Sequence, residues 1–201
     1  MTFSNLIRLG GLAAVLAGTL LVLAELLYLV IGLAPPSGPE YFMTVSYALQ
    51  VGFFLLGGLL LLAGLVGLYT SQSEAVGVLG LVGFAVALLG TGMILGFFWD
   101  NAFATPALAQ TAPDVLEVGA PTLVNLGVVL SFVLFALGWI LFGVATLRAG
   151  VYPRAAAVVL AVGALLAAIP MPFSFILFAV AVAWLGIALL TGRNTLTDES
   201  A

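Results

Sequence analysis

The chain has 201 residues, 64% of them hydrophobic and 6% charged, with a formal net charge of −4. A soluble domain carries about 25% charged residues, so twelve charged side chains cannot furnish a water-facing shell, and the acidic balance without a basic patch speaks against nucleic-acid binding. Histidine, cysteine and lysine are all absent. That excludes His-ligated haem and zinc, thiolate chemistry, Cys-ligated iron–sulfur clusters and Schiff bases, so neither a metal nor a cofactor is expected.

A transmembrane helix needs about 20 apolar residues, and six segments qualify or come close. The first, 6–33, is far longer than the 7–15-residue apolar core of a secretory leader, so it is expected to stay as an anchor. The second and third are 43–69 and 75–99. The loop 100–121 follows; in TAPDVLEVGAP the proline and acids come early and Gly119 late, the polarity of a short helix. It reads either as a lid on the outer surface or as an irregular connector. The fourth segment is 122–147, and the last two, 153–169 and 173–192, are separated by Pro170 and Pro172. One helix over 155–192 would be about 57 Å long, too long for one crossing of a ~30 Å core. Two helices are therefore expected, the shorter as a tilted hairpin or in a thinned bilayer. The predicted fold is all-α: a single membrane domain over 1–201, a polytopic bundle of six transmembrane helices.

With six spans, Arg8, Arg148, Arg154 and Arg193 all fall on one side. The loops of the other side carry Glu40, Asp100, Asp114 and Glu117 and no arginine. The positive-inside rule makes the arginine side cytoplasmic, with both termini there, and the expected location is the plasma membrane. Tyr41, Phe42, Phe97, Phe98 and Trp99 sit at predicted outer ends and read as an interfacial aromatic belt.

Between the fourth and fifth segments, Gly143-x-x-x-Leu147-Arg148-x-Gly150-x-x-Pro153-Arg154 makes a short turn. Gly150 suits a helix end, Pro153 a helix start, and the two arginines an anionic leaflet. This frame resembles the inner turn of several families of uncharacterised six-helix bacterial integral membrane proteins. The resemblance implies a six-helix bundle and brings no catalytic residues with it.

Helices in lipid associate through close contact at small residues. Gly11, Gly18, Glu25 and Gly32 recur every seven residues, as do Gln50, Gly57, Gly64 and Ser71. Gly92, Gly96 and Asp100 form another stripe, and Gly127, Ser131 and Gly138 a fourth. Glu25, Gln50 and Asp100 thus each lie on a stripe expected to face protein.

Glu25 is the residue that most needs an explanation. Fourteen Leu, Ile or Val residues between 9 and 33 supply roughly −4 to −8 kcal/mol of insertion free energy. A central acid costs about 3 kcal/mol of that. By helical rise Glu25 lies about 13 Å and Gln50 about 10 Å below the outer surface. Asp100 and Asn125 are placed near the rim, and Tyr28 one turn above Glu25. These five sketch a polar pocket that opens outward, a candidate ligand or proton site. The competing role for Glu25 is structural: a hydrogen bond to Gln50 or to a backbone carbonyl that fixes helix register.

Three functions follow. The first is a non-enzymatic binding, assembly or envelope-support protein whose partners are the bilayer, a lipid or another membrane protein. The second is a small proton-coupled transporter using Glu25. An enzyme pairing Glu25 with Asp100 is disfavoured, because the two lie about 13 Å apart in depth, beyond the ~5–10 Å that paired carboxylates need.

Overall fold

The computed structural model describes residues 3–32, 38–169 and 173–192, and all regular structure among them is helical. Pro170, Pro172 and Arg193 lie outside the described residues. Helix α1 spans Phe3–Gly32, and a 3₁₀ turn at Pro39–Met43 leads to α2, Val45–Thr70. Helix α3, Ser73–Trp99, continues through a π turn at Asp100–Ala104 into two short helices, α4 (Thr105–Thr111) and α5 (Pro113–Glu117). Helices α6, α7 and α8 are Thr122–Ala149, Arg154–Ala167 and Ile176–Thr191. The helices centred on α1, α2, α3 and α6 are long and apolar enough to cross a membrane, whereas α7 and α8 have 14 and 16 residues.

Helices α1, α2, α3, α6, α7 and α8 form a ring in chain order: each packs on the next, and α8 closes against α1. Small residues set the spacing. A Cβ on Gly10 would lie 2.5 Å from the Gly67 Cα, and one on Gly64 would lie 2.9 Å from the Ala14 Cα, so α1 and α2 touch backbone to backbone. The α3–α6 pair meets in the same way at Gly83, Gly90 and Gly138. Gly18 packs on Ala179 and Gly11 on Gly186, which makes α8 antiparallel to α1. Gly11, Gly18 and Glu25 of the α1 stripe and Gln50, Gly57 and Gly64 of the α2 stripe therefore face protein, as read from the sequence.

The stripe expected on α3 does not. Gly92 and Gly96 are exposed, with no atom near a Cβ placed on either, and Gly127 of α6 is likewise open. The packed face of α3 runs through Gly83, Ala87, Gly90, Thr91 and Ile94. All sides of this helix are apolar, so glycine spacing alone could not select its partner face. The centre of the ring is aromatic: Phe135, Trp139, Phe142 and Phe178 are fully buried. The Trp139 indole N–H donates to the Thr91 hydroxyl at 3.0 Å, satisfying a polar group that has no water to turn to.

At the arginine end the turns are tied together. The Ser71 and Tyr152 hydroxyls are 2.6 Å apart, and the Gln72 amide donates to the Thr146 hydroxyl at 2.9 Å. Gly150 ends α6 in the left-handed region (φ 66°), its N–H on the Thr146 carbonyl at 3.3 Å, and Pro153 leads into α7. Arg8, Arg148 and Arg154 are exposed at this end.

Candidate functional site

The hairpin of α7 and α8 is the shortest part of the ring, and it builds the site. Helix α8 has no side-chain cap of its own. The first N–H groups of a helix have no partner within it, and water is scarce at the depth of a long apolar helix. Glu25, 3% exposed, supplies acceptors from α1 to the turn just ahead of α8 and to its N-cap residue. Its Oε2 accepts from the Phe173 N–H at 2.9 Å and its Oε1 from the Phe175 N–H at 3.2 Å. Phe173 has φ 69°, a left-handed conformation that a non-glycine residue adopts at a cost of about 1–2 kcal/mol. Glu25 therefore holds a strained turn and places its charge at the positive end of α8. Its partners are neither Gln50 nor a carbonyl, and both oxygens accept.

Glu25 lies seven residues before Gly32, so the hairpin turns about 10 Å short of the end of α1. The missing length leaves a recess of about 270 Å3 above the turn. Glu25, Ser174 and Phe175 form its floor. Gln50, Phe54 and Phe98 wall it from α2 and α3, with Phe132 from α6. Tyr28 and Tyr41 flank it from α1 and the 3₁₀ turn, and α4 packs on that turn as a cap. Gln50 is 5% exposed, and its side chain makes no hydrogen bond among the described residues.

Aromatic contacts hold the walls. Phe54 stacks on Phe98 with centroids 4.6 Å apart, and Phe175 meets Phe54 edge-on at 6.1 Å. Tyr47 packs against Tyr41 at 5.1 Å, and its hydroxyl donates to Asn101, whose backbone and side-chain oxygens both lie 3.1 Å away. The Asn101 amide in turn donates to the Phe97 carbonyl at 2.8 Å. The π turn brings Asn101 to the recess while Asp100 points away. Burial, reinforced by the neighbouring Tyr28 phenol, pushes the Tyr41 hydroxyl above its ordinary pKa, so it stays a neutral donor.

Of the five residues proposed from sequence, Glu25, Tyr28 and Gln50 share this recess. Asp100 and Asn125 do not. Asp100 continues the exposed Gly92–Gly96 stripe and accepts from Thr105 at 3.4 Å. Asn125 is exposed on α6, its amide donating to the Ala120 carbonyl at 3.0 Å. Phe98, assigned from sequence to the interfacial belt, is buried and lines the recess, while Trp99 is 57% exposed, as a belt residue would be. Sequence reading missed Tyr47, Phe54, Phe132 and Phe175. One signal was present: Phe54 and Phe98 lie on the same face as Gln50 and Ile94, four residues away. Compared with protein-family models, curated proteins and solved structures, the chain matches none.

Proposed function

We propose that this chain is a multi-pass plasma-membrane protein that binds a small ligand in its outward recess and carries out no covalent chemistry. In this reading α1, α2, α3 and α6 cross fully. The α7–α8 hairpin enters from the cytoplasmic, arginine-bearing side and turns at the depth of Glu25, and both termini remain cytoplasmic. The observation that carries the binding role is Gln50: it is 5% exposed, its amide opens onto the cavity, and among the described residues that side chain makes no hydrogen bond, which leaves the amide for whatever fills the recess.

Two features favour binding over proton-coupled transport. Both Glu25 oxygens are already engaged by the hairpin, so Glu25 is an anchor before it is a carrier. Beneath the recess the ring is closed by the buried Phe135, Trp139 and Phe178.

The native chain has no cysteine, which makes the topology simple to test. A membrane-impermeant maleimide should label Ala120→Cys in intact cells and Ala155→Cys only after permeabilisation; the reverse pattern overturns the orientation. For the site, thermal-shift screening of the purified full chain against amphiphiles should find a stabilising class, with the shift lost in Gln50→Leu. No stabilising compound, or equal shifts in the variant, removes the binding role. Flux in proteoliposomes that depends on both a pH gradient and Glu25 would establish the transporter instead.

A further inference from the structure

The sign and shape of the recess restrict what it can take. Glu25 is nearly fully buried, and a carboxylate has about four acceptor positions, of which the hairpin uses two. Among the described residues no basic side chain comes near it, because Arg8, Arg148 and Arg154 all sit at the opposite end of the bundle. The mouth has the same sign. Glu40, Asp100, Asp114 and Glu117 are all exposed at this end, and segments 38–44 and 100–121 contain no arginine or lysine. The walls are aromatic, and aromatic faces are electron-rich: a cation within about 6 Å of a ring centroid is attracted, most strongly where water is excluded. Phe54, Phe98, Phe132 and Phe175 line the recess from several sides, with Tyr28 and Tyr41 flanking it. Gln50, whose side chain has no hydrogen bond among the described residues, adds a carbonyl oxygen that can accept from an ammonium N–H or face its positive end.

We infer that the recess is a site for a monovalent organic cation with an apolar body, an alkyl- or aryl-substituted ammonium. This inference rests on the binding role proposed above and names its ligand class. The volume, about 270 Å3, lies just below the range of drug-sized pockets and suits a small amine. A zwitterionic phospholipid headgroup also carries an ammonium. Its phosphate, however, would have to sit in an acidic mouth with no arginine or lysine to receive it, so the free cation is the better fit.

The test uses the purified full chain in neutral detergent and three probes of similar shape: benzyltrimethylammonium, its uncharged isostere neopentylbenzene, and the anion phenylmethanesulfonate. Binding is read by titration calorimetry. The cation should bind roughly tenfold or more tightly than the isostere, and the anion not at all. In Glu25→Gln this preference should shrink to the severalfold part that the rings supply. Should that variant fail to fold, the comparison of cation and isostere on the native chain decides alone, and Phe54→Leu, which removes one ring and no charge, should weaken the cation severalfold. Equal binding of cation and isostere overturns the cation assignment and leaves the recess as a binding site. Silence from all three probes, with no lipid retained by the purified protein, overturns both. A retained zwitterionic phospholipid that the cation cannot displace overturns the free-cation assignment in favour of a headgroup.

Discussion

Replacing Glu25 by alanine should release the tip of the α7–α8 hairpin. The carboxylate accepts two backbone N–H bonds, at 2.9 and 3.2 Å. Hydrogen bonds to charged groups contribute about 1.5–3 kcal/mol each, and side-chain pairs between membrane helices only about 0.6 kcal/mol on average. The larger figure applies here. The small average arises because polar side chains in the unassembled state find other partners, whereas N–H groups ahead of a helix have none within it. Two bonds therefore come to at least ~3 kcal/mol. The loss falls on one turn, so local opening is the proper readout. Amide exchange at Phe173 and Phe175 should accelerate roughly a hundredfold in Glu25→Ala, following 1.36 kcal/mol per decade. Glu25→Gln keeps one acceptor and turns an amide donor towards the second N–H, so it should fall between the two. Unchanged exchange at both amides in Glu25→Ala would refute the claim that this acid pins the hairpin.

Further outcomes follow from the packing. Gly138→Ala would put a Cβ 2.2 Å from the Ala87 backbone nitrogen and should lower stability by about 1–3 kcal/mol in thermal melts, whereas Gly92→Ala, facing open space, should leave it unchanged or slightly raised. Thr91→Val strands the buried Trp139 indole N–H and should cost about 1–3 kcal/mol; adding Trp139→Phe should recover part of that loss in a double-mutant cycle. The Tyr152 hydroxyl is pushed up to about 12 by burial, an effect its hydrogen bond to Ser71 only partly offsets. Since that value exceeds the ordinary ~10, its stabilising contribution is complete below pH ~10 and is lost as pH rises through ~12. Melts across this window should show about 2–3 kcal/mol of destabilisation that Tyr152→Phe lacks.

The helices were legible because lipid leaves the chain little choice. Apolar runs bounded by glycine, proline or polar residues end within three residues of the helix ends at every boundary, as at 43–69 against Val45–Thr70. Local backbone devices were not legible. The π turn after Trp99 and the kink at Gly77, where φ is 56°, have no periodic signature. The lining of the recess was readable in part, through Glu25, Tyr28 and Gln50, because polar residues are rare enough in these helices to stand out. Their partners were not, because the Phe173 and Phe175 N–H groups are backbone and every residue but proline has one. Asp100 and Asn125 misled for a related reason: near a membrane surface, polar side chains are as much at home outside a pocket as in it.

The anchoring of Glu25 also has a history in time. Its acceptors meet donors 148 and 150 residues further along the chain. At about 5–20 residues per second, a ribosome needs roughly 7–30 s to make that stretch. Throughout that interval Glu25 is without these two donors, and an acid at the centre of a bilayer costs on the order of 3 kcal/mol. Delivery of the last hairpin supplies the donors. Arrival of the α7–α8 hairpin is thereby marked chemically, and a chain cut short before Phe173 keeps Glu25 without these two donors, a difference that quality-control machinery could recognise.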